Sequence, residues 1–204
     1  MNPLHVVLVY EDELSAAVLR RLLAASNRNF VVSREVHARG YGAMKRDVRK
    51  YEQASQVLPH IILTDLDRVE CPSVLLSQWK LNSQPGRLVF RVAVREIEAW
   101  VLADRNGVAD FLGLPVSKVP VQVESIPDPK QVLLSLARGT KNRKLMEELV
   151  PPMGSTSSIG PFYNDRLSGF VMDKWNLDTA CSSSKSLAKA LQRIKEFASE
   201  GRGR

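Results

Sequence analysis

Three acidic groups follow hydrophobic runs in this 204-residue sequence, and their residue types could bind a divalent cation. Carboxylate oxygens suit Mg²⁺ or Mn²⁺, and Mg²⁺ usually combines one or two carboxylates with waters and substrate phosphates. Carboxylates held close together raise one another's pKa, so a converging cluster needs a compensating cation. The groups are Glu11 with Asp12 and Glu13, Asp65 with Asp67, and Glu96 with Glu98.

The spacing of Asp65 and Asp67 favours one shared site. In an extended segment, residues two positions apart point to the same side. The apolar run at residues 60–64 would supply a buried strand that aims both carboxylates. A surface turn is the alternative for an isolated pair of this kind. Together with Glu11, the pair predicts the core of a metal site.

The elements that must position these residues alternate along the chain. Leu4–Tyr10 is an unbroken run rich in valine and leucine, which is typical of a strand buried on both faces. Such alternation favours an α/β fold with a mainly parallel four-stranded sheet flanked by helices, whose ligands gather beyond the carboxyl ends of the strands. Further strands are predicted at 30–36, 60–64 and 87–94, and helices at 13–25, 41–56, 72–82 and 96–104.

Strand patterns end near residue 105. We therefore predict an α/β core at 1–105 and a helical C-terminal extension at 106–204 that packs on it. A loop rich in Gly, Ser and Thr is expected at 153–160, and a frayed tail at 201–204. The predicted helices of the extension are 108–112, 129–138, 142–150 and 185–198.

The charge balance favours an acidic partner. The chain has 29 Lys and Arg against 22 Asp and Glu, a formal net charge of +7, which attracts polyanions such as nucleic acid. Arg68 adjoins the acidic pair and is a candidate phosphate ligand. Lys45, Arg46 and Arg49 on the helix 41–56 could follow a nucleic-acid backbone, although a basic helix face is often only solvated.

Composition and sequence pattern indicate a globular protein without a membrane span or a zinc site. With 44% hydrophobic and 25% charged residues, the chain has the make-up of an ordinary globular protein. No apolar run approaches the roughly 20 residues of a membrane span, and no signal segment opens the sequence, so we expect a cytoplasmic location. The two cysteines, together with His5, His37 and His60, have no zinc-ligand spacing.

Four runs of the sequence resemble a known family. They are VVLVYEDELSAAVLRRLL, HIILTDLDR, RVAVREIEAWVLAD and IPDPKQVLL, within residues 4–138. They resemble the Toprim-like family catalogued as domain of unknown function 4276, which is related to the Toprim domains of topoisomerases, primases and OLD-type nucleases. The resemblance implies a Toprim-like fold and metal-dependent phosphodiester chemistry.

The resemblance also implies roles for particular residues. Glu11 would be the glutamate that ends the first strand, and Asp65 and Asp67 the Asp-X-Asp pair, so that all three are catalytic and bind Mg²⁺ or Mn²⁺. Glu96 and Glu98 would add metal ligands of the OLD-like kind. They could instead begin a helix, where acidic residues favour the positive end of the dipole.

Two further residues matter for this resemblance. Lys130 could reach the site and bind nucleic acid there, although the segment around it also looks like a helix start with Asp128 near the N-cap. Asp12 stands where a typical Toprim domain has glycine after the glutamate. Either the turn accommodates a residue with a Cβ atom, or Asp12 joins the site.

The sequence therefore predicts a Mg²⁺-dependent nuclease and leaves alternatives open. Since the chain has no GxxxxGK[ST] phosphate loop, a separate ABC- or AAA-type ATPase is a candidate partner, as in anti-phage or mobile-element systems. The chain could also be a non-catalytic Toprim interaction subunit, and a homo-oligomer stays open. A receiver-like phosphorylation switch fits less well, because Glu11 and Asp65 are 54 positions apart (65 − 11) and no Lys-Pro pair follows a later strand.

Overall fold

The computed structural model of the chain describes residues 3–81 and 87–200, with side chains described through residue 197. The described residues form an α/β fold with four strands and ten α-helices. The strands are β1 Leu4–Tyr10, β2 Phe30–His37, β3 His60–Asp65 and β4 Leu88–Ala93. The helices are α1 Glu13–Ala24, α2 Tyr41–Ala54, α3 Pro72–Gln78, α4 Ile97–Leu102, α5 Arg105–Leu112, α6 Pro129–Arg138, α7 Arg143–Leu149, α8 Tyr163–Asp173, α9 Leu177–Ser183 and α10 Lys185–Glu200.

The four strands form one parallel sheet in the order β2-β1-β3-β4. The chain leaves β1 towards β2 on one side and returns to β3 on the other. This reversal makes the carboxyl ends of β1 and β3 the switch point, where ligands of open α/β sheets bind. The predicted α/β class with a four-stranded parallel sheet is confirmed.

Helices cover both faces of the sheet. Along β1, Val6 and Leu8 belong to one apolar core, while Val7 and Val9 belong to the other. This double burial explains why the strand is a continuous apolar run with no polar alternation. Helices α2 and α3 cover the second face, and α1, α4 and the C-terminal helices cover the first.

The C-terminal helices share a core with the α/β part. Helix α8 packs against α1, and α10 packs against β4. Trp100 on α4 and Trp175 after α8 are both fully buried there, and the Trp175 indole donates to the carbonyl of Val101 at 3.3 Å. The predicted helical C-terminal stretch is confirmed, while the boundary at residue 105 stays a prediction.

Two helices were not predicted from the sequence, namely α8 and α9. The loop predicted at 153–160 has neither helix nor strand. In the described parts of the chain, no helix has the length and apolar character needed to cross a membrane. The predicted tail 201–204 lies outside the described residues.

Helix α3 ends earlier than the predicted 72–82. The backbone N–H of Lys80 donates to Ser77 and that of Leu81 to Leu76, at 3.0 and 2.8 Å, which is the hydrogen-bond pattern of a Schellman motif. Lys80 adopts the left-handed φ of 58° that this motif requires. Glycine usually marks this position, so a lysine there concealed the helix end. Position 82 lies outside the described residues.

Gly160 is a position where a side chain has no room. A Cβ atom there would lie 2.4 Å from the carbonyl oxygen of Glu148, at the turn that leads into α8. We predict that Gly160→Ala lowers the free energy of unfolding by about 1–3 kcal/mol. Gly169→Ala, on α8 with open space around the added Cβ, should raise it by about 0.5–1 kcal/mol. Urea unfolding measures both, and equal effects would contradict this packing.

Candidate functional site

The carboxyl edge of the sheet brings the predicted acidic residues together. Glu11 follows β1, and Asp65 is the last residue of β3. One oxygen of Glu11, Oε1, accepts a hydrogen bond from the backbone N–H of Asp65 at 3.3 Å and another from the Thr64 hydroxyl. Residues 54 positions apart are thus joined directly across the switch point of the sheet.

Asp65 joins this edge to the next element. Its Oδ1 accepts a hydrogen bond from the backbone N–H of Ile97 at 2.9 Å, so a side chain from β3 caps the first residue of α4. Burial, followed by the nearby charges of Glu98 and Glu11, raises the pKa of Asp65 well above its ordinary value. The carboxylates of three elements therefore interact strongly.

Asp67 does not follow the predicted extended geometry. Its φ is 50°, in the left-handed region, and the backbone N–H groups of Leu66 and Asp67 both donate to the carbonyl of Arg95, at 3.0 and 2.9 Å. The prediction that Asp65 and Asp67 point to one side of an extended strand is wrong, because a turn begins directly after β3. Asp67 lines the neighbouring cleft instead.

Glu98 is the most deeply buried carboxylate of the group. It lies in the first turn of α4, with its side chain 1% exposed. Its Oε1 accepts a hydrogen bond from the Tyr163 hydroxyl at 3.0 Å and lies 3.4 Å from Nζ of Lys130. The other oxygen, Oε2, is buried without a hydrogen-bond partner. Burial raises the pKa of Glu98 to about 7.

Lys130 is the cation at the centre of these carboxylates. Its ion pair with Glu98 is the only one that any of these carboxylates forms among the described residues. Its backbone N–H also donates to Glu96 at 3.0 Å, at the start of α6. Burial opposes the charged form of Lys130, but Glu98, Glu96 and Asp65 outweigh it and raise its pKa.

The remaining members of the cluster are less enclosed. Burial raises the pKa of Glu11, although the hydrogen bonds from Thr64 and Asp65 lower it, and burial likewise raises those of Asp67 and Glu96. We call the six residues that end the strands or follow them the carboxylate cluster. Its members are Glu11, Asp12, Asp65, Asp67, Glu96 and Glu98.

Asp12 has a structural role that explains the absence of glycine. Its Oδ1 accepts the backbone N–H of Ser15 at 2.8 Å and caps α1. Its φ of −148° is extended backbone, which any residue can adopt. The turn therefore needs no glycine, and the charge of Asp12 also acts on Asp65 and Glu98.

The cluster is not a ready-made metal cage. Among the described residues, no three His, Cys, Asp or Glu side chains are arranged so that they could hold one metal ion. The donor chemistry nevertheless fits Mg²⁺, which needs only one or two carboxylates beside waters and phosphate oxygens. The unpartnered Oε2 of Glu98 is a buried hard acceptor of this kind. Asp65 and Glu98 are the carboxylates that would bind Mg²⁺ directly.

A cleft of about 930 Å³ adjoins the cluster. Arg68, the candidate phosphate ligand, lies in its wall together with Asp67 and Glu96. Arg68 also lowers the pKa of Asp67, against the larger effect of burial. A substrate in this cleft would lie beside both the cluster and a cation.

The basic residues of α2 are mostly neutralised nearby. Arg46 and Lys50 pair with Asp47 at 2.9 and 2.7 Å, and Arg49 pairs with Glu52. Lys45, Arg46 and Arg49 are exposed, and none of them lines the cleft. This arrangement agrees with the solvated-face alternative for α2, and their contact with nucleic acid stays a prediction.

Tyr163 is the site residue that sequence reasoning missed. It belongs to α8 and lies 65 positions from Glu98, so no local motif connects the two. Tyr163, Leu167 and Phe170 follow one another at helical spacing, and this pattern could have predicted α8. The partner of its hydroxyl required the three-dimensional structure.

Comparisons with known proteins add no further assignment. No family model matches the chain, and neither the curated proteins nor the solved structures gave a match. The Toprim-like resemblance therefore stays a prediction that rests on the motifs themselves.

Glu98 makes a testable contribution to pH dependence. Its carboxyl group binds a proton more tightly in the folded chain, with a pKa of about 7, than at its ordinary pKa of 4.5. As the pH rises from about 4.5 to about 7, the unfolded chain gives up this proton first, so the folded state loses stability. Without divalent cations we predict that Glu98 alone contributes a loss of up to about 3 kcal/mol across this interval and no further loss above it.

Urea unfolding in EDTA at several pH values measures this contribution. Glu98→Gln should remove the slope that Glu98 causes, whereas Glu147→Gln, at an exposed glutamate of α7, should keep it. The same slope in wild type and Glu98→Gln would show that Glu98 is not the group that titrates.

Proposed function

We propose that the chain is a divalent-cation-dependent phosphodiesterase that acts on nucleic acid. One observation carries this proposal, which is the buried Oε2 of Glu98 that no donor satisfies. It lies within a cluster of six carboxylates in which Lys130 forms the only ion pair among the described residues. Burying an unpaired charge costs several kcal/mol, so the ionised cluster requires a further cation.

Mg²⁺ or Mn²⁺ is the cation that this donor set favours. Asp65 and Glu98 would hold it, with Glu11, Asp67 and Glu96 close by. A bound divalent cation would polarise a phosphate and lower the pKa of a water. The formal charge of +7 and the position of Arg68 in the cleft support an anionic substrate such as a nucleic-acid backbone.

Glu11 is placed to handle a proton. Thr64 and the backbone of Asp65 fix Oε1, while Oε2 accepts no hydrogen bond from the described residues. A carboxylate held on one side and open on the other can orient a water and accept its proton. Burial raises the pKa of Glu11, which makes it a stronger base than an exposed glutamate.

The Toprim-like resemblance supports the same proposal, since Glu11 and Asp65 stand at the matching strand ends. We also propose a cytoplasmic location and, by analogy with OLD-type nucleases, a separate ATPase as partner. A Toprim subunit that binds metal and partner without cleaving is the alternative within this proposal.

The direct test combines metal binding with cleavage. Single- and double-stranded DNA and RNA are incubated with the wild type in Mg²⁺, Mn²⁺ or EDTA, and metal binding is measured by calorimetry. We predict that Asp65→Asn lowers metal-dependent cleavage at least about 100-fold. Loss of a residue that only hydrogen-bonds to a metal ligand costs about 10–100-fold in activity, and loss of a direct ligand should cost at least as much. Asp110→Asn, at an exposed carboxylate of α5, is the matched control and should keep full activity.

The outcomes separate the candidates. Cleavage that needs metal and is lost only in Asp65→Asn supports the nuclease. Metal binding without cleavage favours the non-catalytic subunit or one that needs its partner. A wild-type protein that binds neither ion would overturn the proposal.

Arg68 should contribute to substrate binding more than the α2 cations. A charge-assisted phosphate contact contributes about 1.5–3 kcal/mol, so Arg68→Gln should raise KM about tenfold or more and reduce the salt dependence of binding. Arg46→Gln is the control, because Arg46 already pairs with Asp47. Equal effects of the two substitutions would contradict the position of the substrate in the cleft.

A further inference from the structure

The edge strand β4 carries an arginine whose charge is not matched locally. Arg91 is partly buried, and its Nε is buried without a hydrogen-bond partner. No described residue forms an ion pair with it. The anion whose charge acts on Arg91 is Glu196, which pairs with Arg193 at 3.9 Å. Burial, followed by Arg193, lowers the pKa of Arg91, and the charge of Glu196 offsets this only in part.

Arg91 lines a cavity together with two other cations. The cavity has a volume of about 420 Å³ and lies between β4 and the first two turns of α10. Lys185 and Lys189, one helical turn apart, contribute to the same wall. Both are exposed, and neither has an ion pair in the described part of the chain.

Glu124, the single carboxylate in the cavity wall, already accepts hydrogen bonds from other parts of the chain. Oε1 of Glu124 accepts hydrogen bonds from the Ser184 hydroxyl and from the backbone N–H of Ser186, both at 2.7 Å. These bonds tie Glu124 to the start of α10. The cavity wall therefore contains three cations and one carboxylate, and the hydrogen bonds of that carboxylate hold the start of α10 in place.

Apart from Ser186, the rest of the wall is apolar and consists of Pro72, Leu76, Phe90, Val92 and Val94. The volume falls in the range of roughly 300–1,000 Å³ that is typical of small-ligand sites. Water is a poor substitute for a counter-anion beside a half-buried guanidinium, whereas a phosphate group matches the planar fork of arginine and the point charges of lysines.

We propose that the cavity formed by Arg91, Lys185 and Lys189 is a phosphate-binding site separate from the carboxylate cluster. Its ligand is a phosphate ester, either a backbone phosphate of a nucleic acid or a free phosphorylated molecule. The site needs no metal and no catalysis. It therefore stands or falls independently of the proposed function.

The test uses the full chain in EDTA with inorganic phosphate as the probe. The side-chain Nε–H signal of Arg91 is followed by NMR, together with the backbone signals of residues 185–189, and calorimetry gives the dissociation constant. We predict saturable binding that shifts these signals. The double substitution Lys185→Gln with Lys189→Gln should weaken binding about tenfold or more.

Two controls keep the result specific. Lys195→Gln, at an exposed residue of α10 outside the cavity, should bind phosphate like the wild type. Asp65→Asn should also bind phosphate normally, even if it has lost metal binding. None of the variants replaces the partly buried Arg91, because such a substitution could disturb folding and obscure the result.

Two further probes identify the source of the phosphate. If a short single-stranded oligonucleotide shifts the same signals more strongly than ribose 5-phosphate, the site belongs to nucleic-acid binding. The reverse order assigns it to a free phosphate ester. No saturable shift with phosphate, or equal binding by the wild type and the double variant, would overturn the site.

Discussion

The structure at the carboxyl edge of the sheet depends on how the negative charge of Glu98 is compensated. A glutamate with a 1% exposed side chain has Tyr163 and Lys130 on one oxygen and no donor on the other. Its two partners come from α8 and α6, so the C-terminal helices take part in the site as well as in the core. Removing either partner would leave a buried charge with less compensation, which links the stability of the extension to the chemistry of the edge.

The topology explains why this chemistry is located here. Parallel strands end at one edge, and the order β2-β1-β3-β4 opens a crevice between β1 and β3. That order also belongs to other doubly wound modules, so it does not single out a family. The side chains give the edge its character, because carboxylates from three strand ends meet one ammonium group. Arg68 lies in the cleft beside the cluster. Among the described residues, Arg46, Arg49 and Lys50 of α2 are paired locally, whereas Lys185 and Lys189 beside β4 form no ion pair.

The sequence predicted much of this arrangement for physical reasons. Unbroken apolar runs predicted the buried strands, and acidic residues directly after them predicted that carboxylates gather at one edge of the sheet. The details that failed depend on three-dimensional partners. Asp67 has a left-handed backbone and donates its N–H to the carbonyl of Arg95, and α3 ends at a lysine where glycine is usual. The contact between Tyr163 and Glu98 joins distant segments, and no local pattern encodes it.

The most direct measurement is a crystal structure of the protein grown with Mn²⁺, with anomalous differences recorded at the manganese absorption edge. We predict a manganese peak in contact with Asp65 or Glu98 at the carboxyl edge of β1 and β3. A fully ordered cluster without such a peak, with both carboxyl groups satisfied by Lys130 and protons alone, would contradict the claim that this edge requires a divalent cation.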